Sequence, residues 1–151
     1  MNIIEEKNMS EINLIKPLWE KLNEVHLKQS VYFKKKYESF TFEERIESIL
    51  KKAQHGKIKL YMIYNEKENR HVGYCLSSIQ EEVGEIESIF IEENYRKSGL
   101  GDKLMSKSLK WFEENSITNI EINVVYANDS ALPFYQKHGF FIGNYILRRQ
   151  K

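Results

Sequence analysis

The sequence predicts an α/β (α+β) fold, a mixed and mostly antiparallel central sheet of about six to seven strands with helices on both faces. Three observations predict it. The β-prone runs KIKLYMIY at 57–64, HVGYCLSSIQ at 71–80 and EIESIFI at 85–91 follow one another through short polar turns, as hairpins do. Two later runs, NIEINVVY at 119–126 and the segment 140–149, are each reached through a helical pattern, which points to β-α-β connections. Between them lie stretches whose apolar residues recur at three- and four-residue spacing.

Taken in order, residues 1–6 suit a short first strand. Ile12, Ile15, Leu18, Trp19, Leu22 and Val25 share one helical face, so a helix is expected over about 10–28. Pro17 lies inside that span, and a regular helix that begins near Lys16 puts it in the first turn, where a missing N–H does no harm. The segment 29–40, QSVYFKKKYESF, has no clean period; it reads as a surface loop with anchoring rings and solvated lysines, or as a lid over a substrate. Thr41 to Glu44 fits a capping box for a helix that buries Phe42, Ile46, Ile49, Leu50 and Ala53 and ends by Gly56. The three hairpin strands follow, then a helix over about 100–115, the strand 119–126, a short helix at 131–137 and a closing strand at 140–149. The expected order is β-α-α-β-β-β-α-β-α-β.

A chain of 151 residues is the size of one domain, here 1–151. With 23 Lys plus Arg against 22 Asp plus Glu, the net charge of +1 gives no bulk field for nucleic acid or an acidic membrane surface. The lone cysteine, Cys75, rules out an intramolecular disulfide framework and suggests a reducing compartment. No apolar run approaches the roughly 20 residues of a membrane helix, and the start of the chain does not read as a secretion signal. A cytoplasmic protein with neither nucleic-acid nor membrane partners is expected.

The stretch 84–105, GEIESIFIEENYRKSGLGDKLM, reads as strand, glycine turn and helix. The first N–H groups of a helix lack internal partners, and the helix dipole places positive potential there. Gly99 and Gly101 let backbone N–H groups approach an anion, and Arg96 and Lys97 add charge, so the turn reads as a pyrophosphate cradle or as a purely structural turn. A dinucleotide fingerprint would need glycine at 104, which is leucine, and no GxxxxGK[ST] loop occurs. The second constellation is VVYANDSALPFYQKHGFF at 124–141, in which Asn128, Ala131, Tyr135, Gly139 and Phe140 form N-x2-A-x3-Y-x3-G-F. Alone, Tyr135 reads as a packed core ring as readily as a catalyst.

Together, R-K-S-G-L-G at 96–101 and this second pattern resemble the GNAT superfamily of N-acetyltransferases, whose signatures are [RQ]-x-x-G-x-[GA] after a strand and the N-A-Y-G-F pattern. The element order resembles that family over nearly the whole chain. The resemblance implies acetyl-CoA as co-substrate, bound by core 84–141 where strands 85–91 and 119–126 splay apart, with 1–56 selecting the acceptor. It places the pyrophosphate on Lys97, Ser98, Gly99, Leu100 and Gly101, flanked by Arg96 and Asp102. The pantetheine would lie along the backbone of Ile89, Phe90 and Ile91 and be held by Asn128, with Tyr135 near the sulfur. It implies neither metal nor covalent enzyme intermediate, and homodimers are frequent among its members; an exposed C-terminal strand edge would offer one route to such pairing.

The chemistry asks for these parts on its own terms. An attacking amine must be neutral, so a proton acceptor is needed directly or through water. The developing oxyanion wants a backbone N–H, which a bulge near Ile89 to Ile91 would supply, and the leaving thiolate wants a proton. For the base the sequence offers Glu85 and Glu87, which the two-residue period places on one strand face with Ile89. Glu85 falls where histone-type members of the family keep a general base; Glu87 is nearer the reaction centre, and a water chain is the alternative to both. Six glutamates and no Lys or Arg between 81 and 95 imply a negative field suited to a cationic amine. The four histidines form no metal-binding pair and no GxSxG occurs, which argues against metal and serine-nucleophile chemistry. The expected activity is N-acetylation of a primary amine on a small cationic molecule or a protein, with a non-catalytic acyl-CoA sensor as the competing reading.

Overall fold

In the computed structural model, which describes residues 1–150, one sheet carries five strands in the order β1-β2-β3-β4-β5. β1 (Asn2–Lys7), β2 (Gly56–Asn65), β3 (Arg70–Gln80) and β4 (Val83–Ile91) are antiparallel neighbours, and β5 (Asn119–Ile122) runs parallel to β4. The mixed, mostly antiparallel sheet is the one the sequence predicts, with fewer strands. The closing strand at 140–149 does not form. β5 stops at Ile122 instead of Tyr126, which leaves an edge of four residues to pair against. The 140–149 run is also apolar on both faces, a pattern that needs cover on two sides. Phe141, Tyr145 and Leu147 lie exposed, and among the described residues the C-terminal edge expected as a dimer contact is not formed by 140–149; the sheet ends at β5.

α1 (Lys16–Gln29) begins where Pro17 allows it, in the first turn, after a tighter 3-10 stretch at Met9–Ile15. Its buried face is Leu18 and Trp19, continued backward by Ile12 and Ile15, while Val25 is exposed. The segment read as a loop or lid contains a short helix, α2 (Lys34–Ser39), with no buried residue; the Asn23 side-chain amide ties it to α1 by donating to the Tyr37 carbonyl at 3.0 Å. α3 (Phe42–Ala53) starts as expected, with the Thr41 hydroxyl accepting from the Glu44 N–H at 3.2 Å. The reciprocal bond from Glu44 is not formed among the described residues, so the box is half made. Phe42, Ile46 and Ile49 are buried, but Leu50 falls off the stripe and is exposed.

The sheet separates two cores. Leu60, Met62, Tyr74, Leu76 and Phe90 pack with Trp19, Phe42, Ile46 and Ile49 of α1 and α3. Ile63, Val72, Cys75, Ile86 and Ile91 pack on the other side with Leu100, Leu104, Met105 and Phe112 of α4 (Leu100–Glu114). Cys75 is fully buried, accepts a hydrogen bond from the Ser108 hydroxyl at 3.2 Å, and has its thiol pushed up to about 11 by burial. It is a core residue. No helix among the described residues is long and apolar enough to cross a membrane.

His26, against the Tyr37 ring at 5.8 Å, carries a pH dependence. Burial lowers its pKa from 6.5 to about 4, so the folded chain resists a proton that the unfolded chain accepts. Its contribution is present above about pH 6.5 and is lost as pH falls toward about 4, amounting to roughly 1–2 kcal/mol once partial exposure is discounted. Urea midpoints of the wild type should therefore drop across that window, and those of His26→Gln should drop less.

Candidate active site

The site is built where the parallel pair opens. β4 and β5 are in register from Val83 opposite Asn119 to Ile86 opposite Ile122, and there the ladder ends while β4 continues to Ile91. β5 is the last strand of the sheet, so beyond Ile86 the outer edge of β4 has no strand beside it. Ile89, Phe90 and Ile91 lie on that stretch.

The bulge lies two residues earlier than expected. Ser77 pairs with Ile86 and Leu76 with Ser88, which leaves Glu87 as the extra residue. The insertion turns Glu87 and Ser88 to the same face: Glu87 reaches Lys52 of α3, and Ser88 shares a 2.7 Å hydrogen bond with the buried Tyr74 hydroxyl. Ile89 is thereby turned to the α4 side with Ile86 and Ile91, away from the face it was expected to share with Glu85 and Glu87.

The two glutamates differ in their surroundings. The Glu87 carboxylate has no exposed surface and accepts from Arg45 at 3.2 Å, Lys52 at 2.8 Å and the Ser78 hydroxyl at 2.5 Å. Glu85 accepts from Lys52 at 3.0 Å and from the Asn123 amide at 3.2 Å, and it lines a cavity of about 330 Å³ with Lys52, Ser78, Glu81 and Glu121. Burial alone would depress the Lys52 ammonium, but its bonds to Glu87 and Glu85 raise it. Glu92 is paired with Arg70 at 2.6 Å and Lys21 at 2.8 Å. The negative field expected from the glutamate run is thus answered at three carboxylates by cations from distant parts of the chain.

Beyond β4 comes a 3-10 turn at Glu93–Tyr95, then two residues with left-handed backbone, Lys97 at φ 64° and Gly99 at φ 82°. Gly99 is the N-cap of α4 and no side chain caps the helix, so its first N–H groups face outward unpaired. A Cβ on Gly99 would meet nothing within 4 Å, which leaves the space before the helix open; Ser98 sits beside it, its hydroxyl donating to the Tyr95 carbonyl at 2.8 Å. Gly101 serves a different end: a Cβ there would lie 3.1 Å from the Phe134 ring, so this glycine admits α5 (Leu132–Lys137) against α4. Arg96 turns back, its Nε donating to the Ile91 carbonyl at 2.6 Å and its guanidinium lying over the Phe90 ring. Asp102 faces α5, accepting from Lys137 at 2.7 Å and pairing with His138 at 2.8 Å; these bonds hold its carboxyl below the usual range.

The N-A-Y-G-F pattern has a local cause. Gly139 at φ 90° ends α5, and the Phe140 N–H donates to the Tyr135 carbonyl at 3.0 Å, the bond that defines a left-handed helix stop with its apolar contact between the same two residues. Tyr135 is thereby fixed between Phe134 and Phe140, and burial pushes its phenol up to about 12. Asn128 caps the turn Asp129–Ala131, its carbonyl accepting from the Ala131 N–H at 3.2 Å. The structure therefore joins both motifs through α4 and α5. Arg45, Lys52, Ser78 and Phe134 escaped the sequence reading. Arg45 and Lys52 carried a signal, since positions 42, 45, 46, 49, 52 and 53 are one helical stripe and two of them are cations.

Residues 19–140 match the family model described as Acetyltransferase (GNAT) family. Streptothricin acetyltransferase A of Bacillus subtilis (strain 168) is 40% identical over 88 residues, 58% of this chain and 42% of that protein. The chain thus spans under half the length of the curated relatives it matches. A Pyrococcus furiosus protein superposes over 100% of both chains with a TM-score of 0.79 at 21% identity. The aminoglycoside N-acetyltransferase AAC(6')-Iy, solved in complex with CoA, superposes over 99% of this chain and 98% of its own with a TM-score of 0.66 at 15% identity. At such identities the structural likeness speaks for the fold, and the family model covers most of the chain: it belongs to the acetyltransferase (GNAT) family.

Proposed function

We propose that the protein is an acetyl-CoA-dependent N-acetyltransferase that moves the acetyl group directly to a primary amine of a small cationic molecule. The observation that carries this reading is the unpaired outer edge of β4 running into the uncapped N-terminus of α4, with Tyr135 on the helix packed beside it. The edge offers backbone groups to the pantetheine amides, with Asn128 on the facing loop. The N–H groups of Lys97 to Gly101 take the pyrophosphate.

In the transfer, the amine nitrogen bonds to the acyl carbon and the carbon–sulfur bond breaks, its electron pair leaving on sulfur. An N–H of the β4 edge beyond the bulge stabilises the oxyanion. Glu85, which lines the cavity, takes the amine proton directly or through water. Glu87, enclosed by Arg45, Lys52 and Ser78, serves as a brace. The Tyr135 phenol, protonated throughout the ordinary assay range at a pKa of about 12, gives the thiolate a hydrogen bond or proton. The cavity sets Glu81, Glu85 and Glu121 against one lining cation, Lys52, an acidic balance that suits a cationic acceptor. The streptothricin and aminoglycoside enzymes among its relatives support an amine-bearing small molecule.

A non-catalytic acyl-CoA-binding module would use the same edge, and the engagement of both glutamates by Lys52 favours it. Thiol release from acetyl-CoA across polyamines, aminoglycosides, amino acids and lysine-bearing peptides separates the readings. Turnover on one small-amine class is the expected result. Turnover on peptides alone would make the acceptor a protein, and saturable binding without turnover on any amine or on cell extract would favour the binding module.

A further inference from the structure

Arg45 stands outside both motifs, yet it holds the one irregular residue of β4. A single guanidinium nitrogen, Nη2, lies 2.7 Å from the Glu87 carbonyl oxygen and 3.2 Å from its carboxylate Oε1. Both acceptors belong to the bulged residue. Lys52, two turns further along α3 and on the same face, secures the other carboxylate oxygen at 2.8 Å. The Ser78 hydroxyl of the neighbouring strand donates to that oxygen at 2.5 Å.

The bulge decides how the rest of the strand is presented. A one-residue slip exchanges the faces and the lateral directions of every residue beyond it. With Glu87 extra, Ile89 and Ile91 face α4 while Phe90 faces α1, and the N–H and C=O groups of 88–91 take their directions accordingly. A bulge weakens the ladder around it and leaves the extra residue without a cross-strand partner, so something must hold it. Arg45 does so through two points on one residue, which a regular strand would not present together.

We propose that Arg45 is a positioning residue for acyl transfer, acting through the Glu87 bulge to fix the direction of the β4 edge amides that meet the acyl oxygen. The inference rests on the reading that acyl transfer takes place along that edge. Its effect belongs mainly to the transition state, because a small misdirection of an oxyanion donor costs rate more than ground-state binding.

The test compares the wild type with Arg45→Met and Arg45→Lys, by steady-state kinetics, acetyl-CoA calorimetry and backbone amide NMR. Arg45→Met should lower kcat about tenfold or more, with a distinctly smaller loss of acetyl-CoA affinity and displaced amide resonances for Ser88 to Ile91. Arg45→Lys keeps one cation within reach and should recover part of both the rate and the resonance positions. Losses in kcat and affinity that run in parallel, a kcat like that of the wild type, or unchanged resonances from 88 to 91 would overturn the proposal. A wild type that turns over no amine sinks the acetyltransferase reading alone; the resonances of 88–91 then decide separately whether Arg45 holds the edge.

Discussion

Substituting Tyr135 by Phe should lower turnover by about a hundredfold while leaving acetyl-CoA affinity unchanged. The change removes one oxygen and keeps the ring that packs between Phe134 and Phe140, so α5 and its left-handed stop at Gly139 should persist. What goes is a phenol held protonated at a pKa of about 12, the donor assigned to the departing thiolate. Steady-state turnover with a fixed acceptor, beside calorimetric titration of acetyl-CoA, checks this. Equal turnover in the two proteins would take Tyr135 out of the chemistry and leave it a packing role.

Replacing Gly99 by Leu should act on the other parameter, weakening acetyl-CoA binding by about tenfold or more, equivalent to at least about 1.4 kcal/mol. Two effects add. A leucine at φ 82° bears left-handed strain of roughly 1–2 kcal/mol, and its side chain enters the open space before the first turn of α4. Lys97 already holds φ 64°, so the turn accommodates a non-glycine residue in this conformation nearby. Thermal melts of the free protein isolate the strain, and calorimetry isolates the blocked approach. Affinity equal to that of the wild type would remove the helix terminus from the cofactor site.

The sequence made some of this legible and concealed the rest for identifiable reasons. The strands from 56 to 91 and the start of α1 at Lys16 were readable because alternation in 57–64, β-prone composition between polar turns and the missing N–H of Pro17 all act locally. The bulge at Glu87 was not, since it is a mismatch between β3 and β4 and exists only once they pair. The inward cations of α3 meet carboxylates more than thirty residues away, so neither charge run disclosed that the other neutralises it. Gly101 was singled out for approach to an anion, and its need for a bare Cα against Phe134 was not legible, because α5 meets α4 only in the fold. The bond from Arg96 Nε to the Ile91 carbonyl was not legible either, since it is made by the turn that brings the side chain back along β4. The run 140–149 has strand composition without a strand, because propensity needs a partner edge and β5 ends too soon.

The parallel ladder joins β4 and β5 at only four residue pairs, and α5 is held instead by α4, through Phe134 at Gly101 and through Lys137 and His138 at Asp102. β5 is thereby the most sparsely paired strand of the sheet, the one where local opening costs the fewest ladder bonds. A ligand that touches both the β4 edge and the Asn128 loop would act as a staple across the seam. It would raise the melting temperature in proportion to the logarithm of its concentration. It would also slow amide exchange first in the region furthest from the central hairpins.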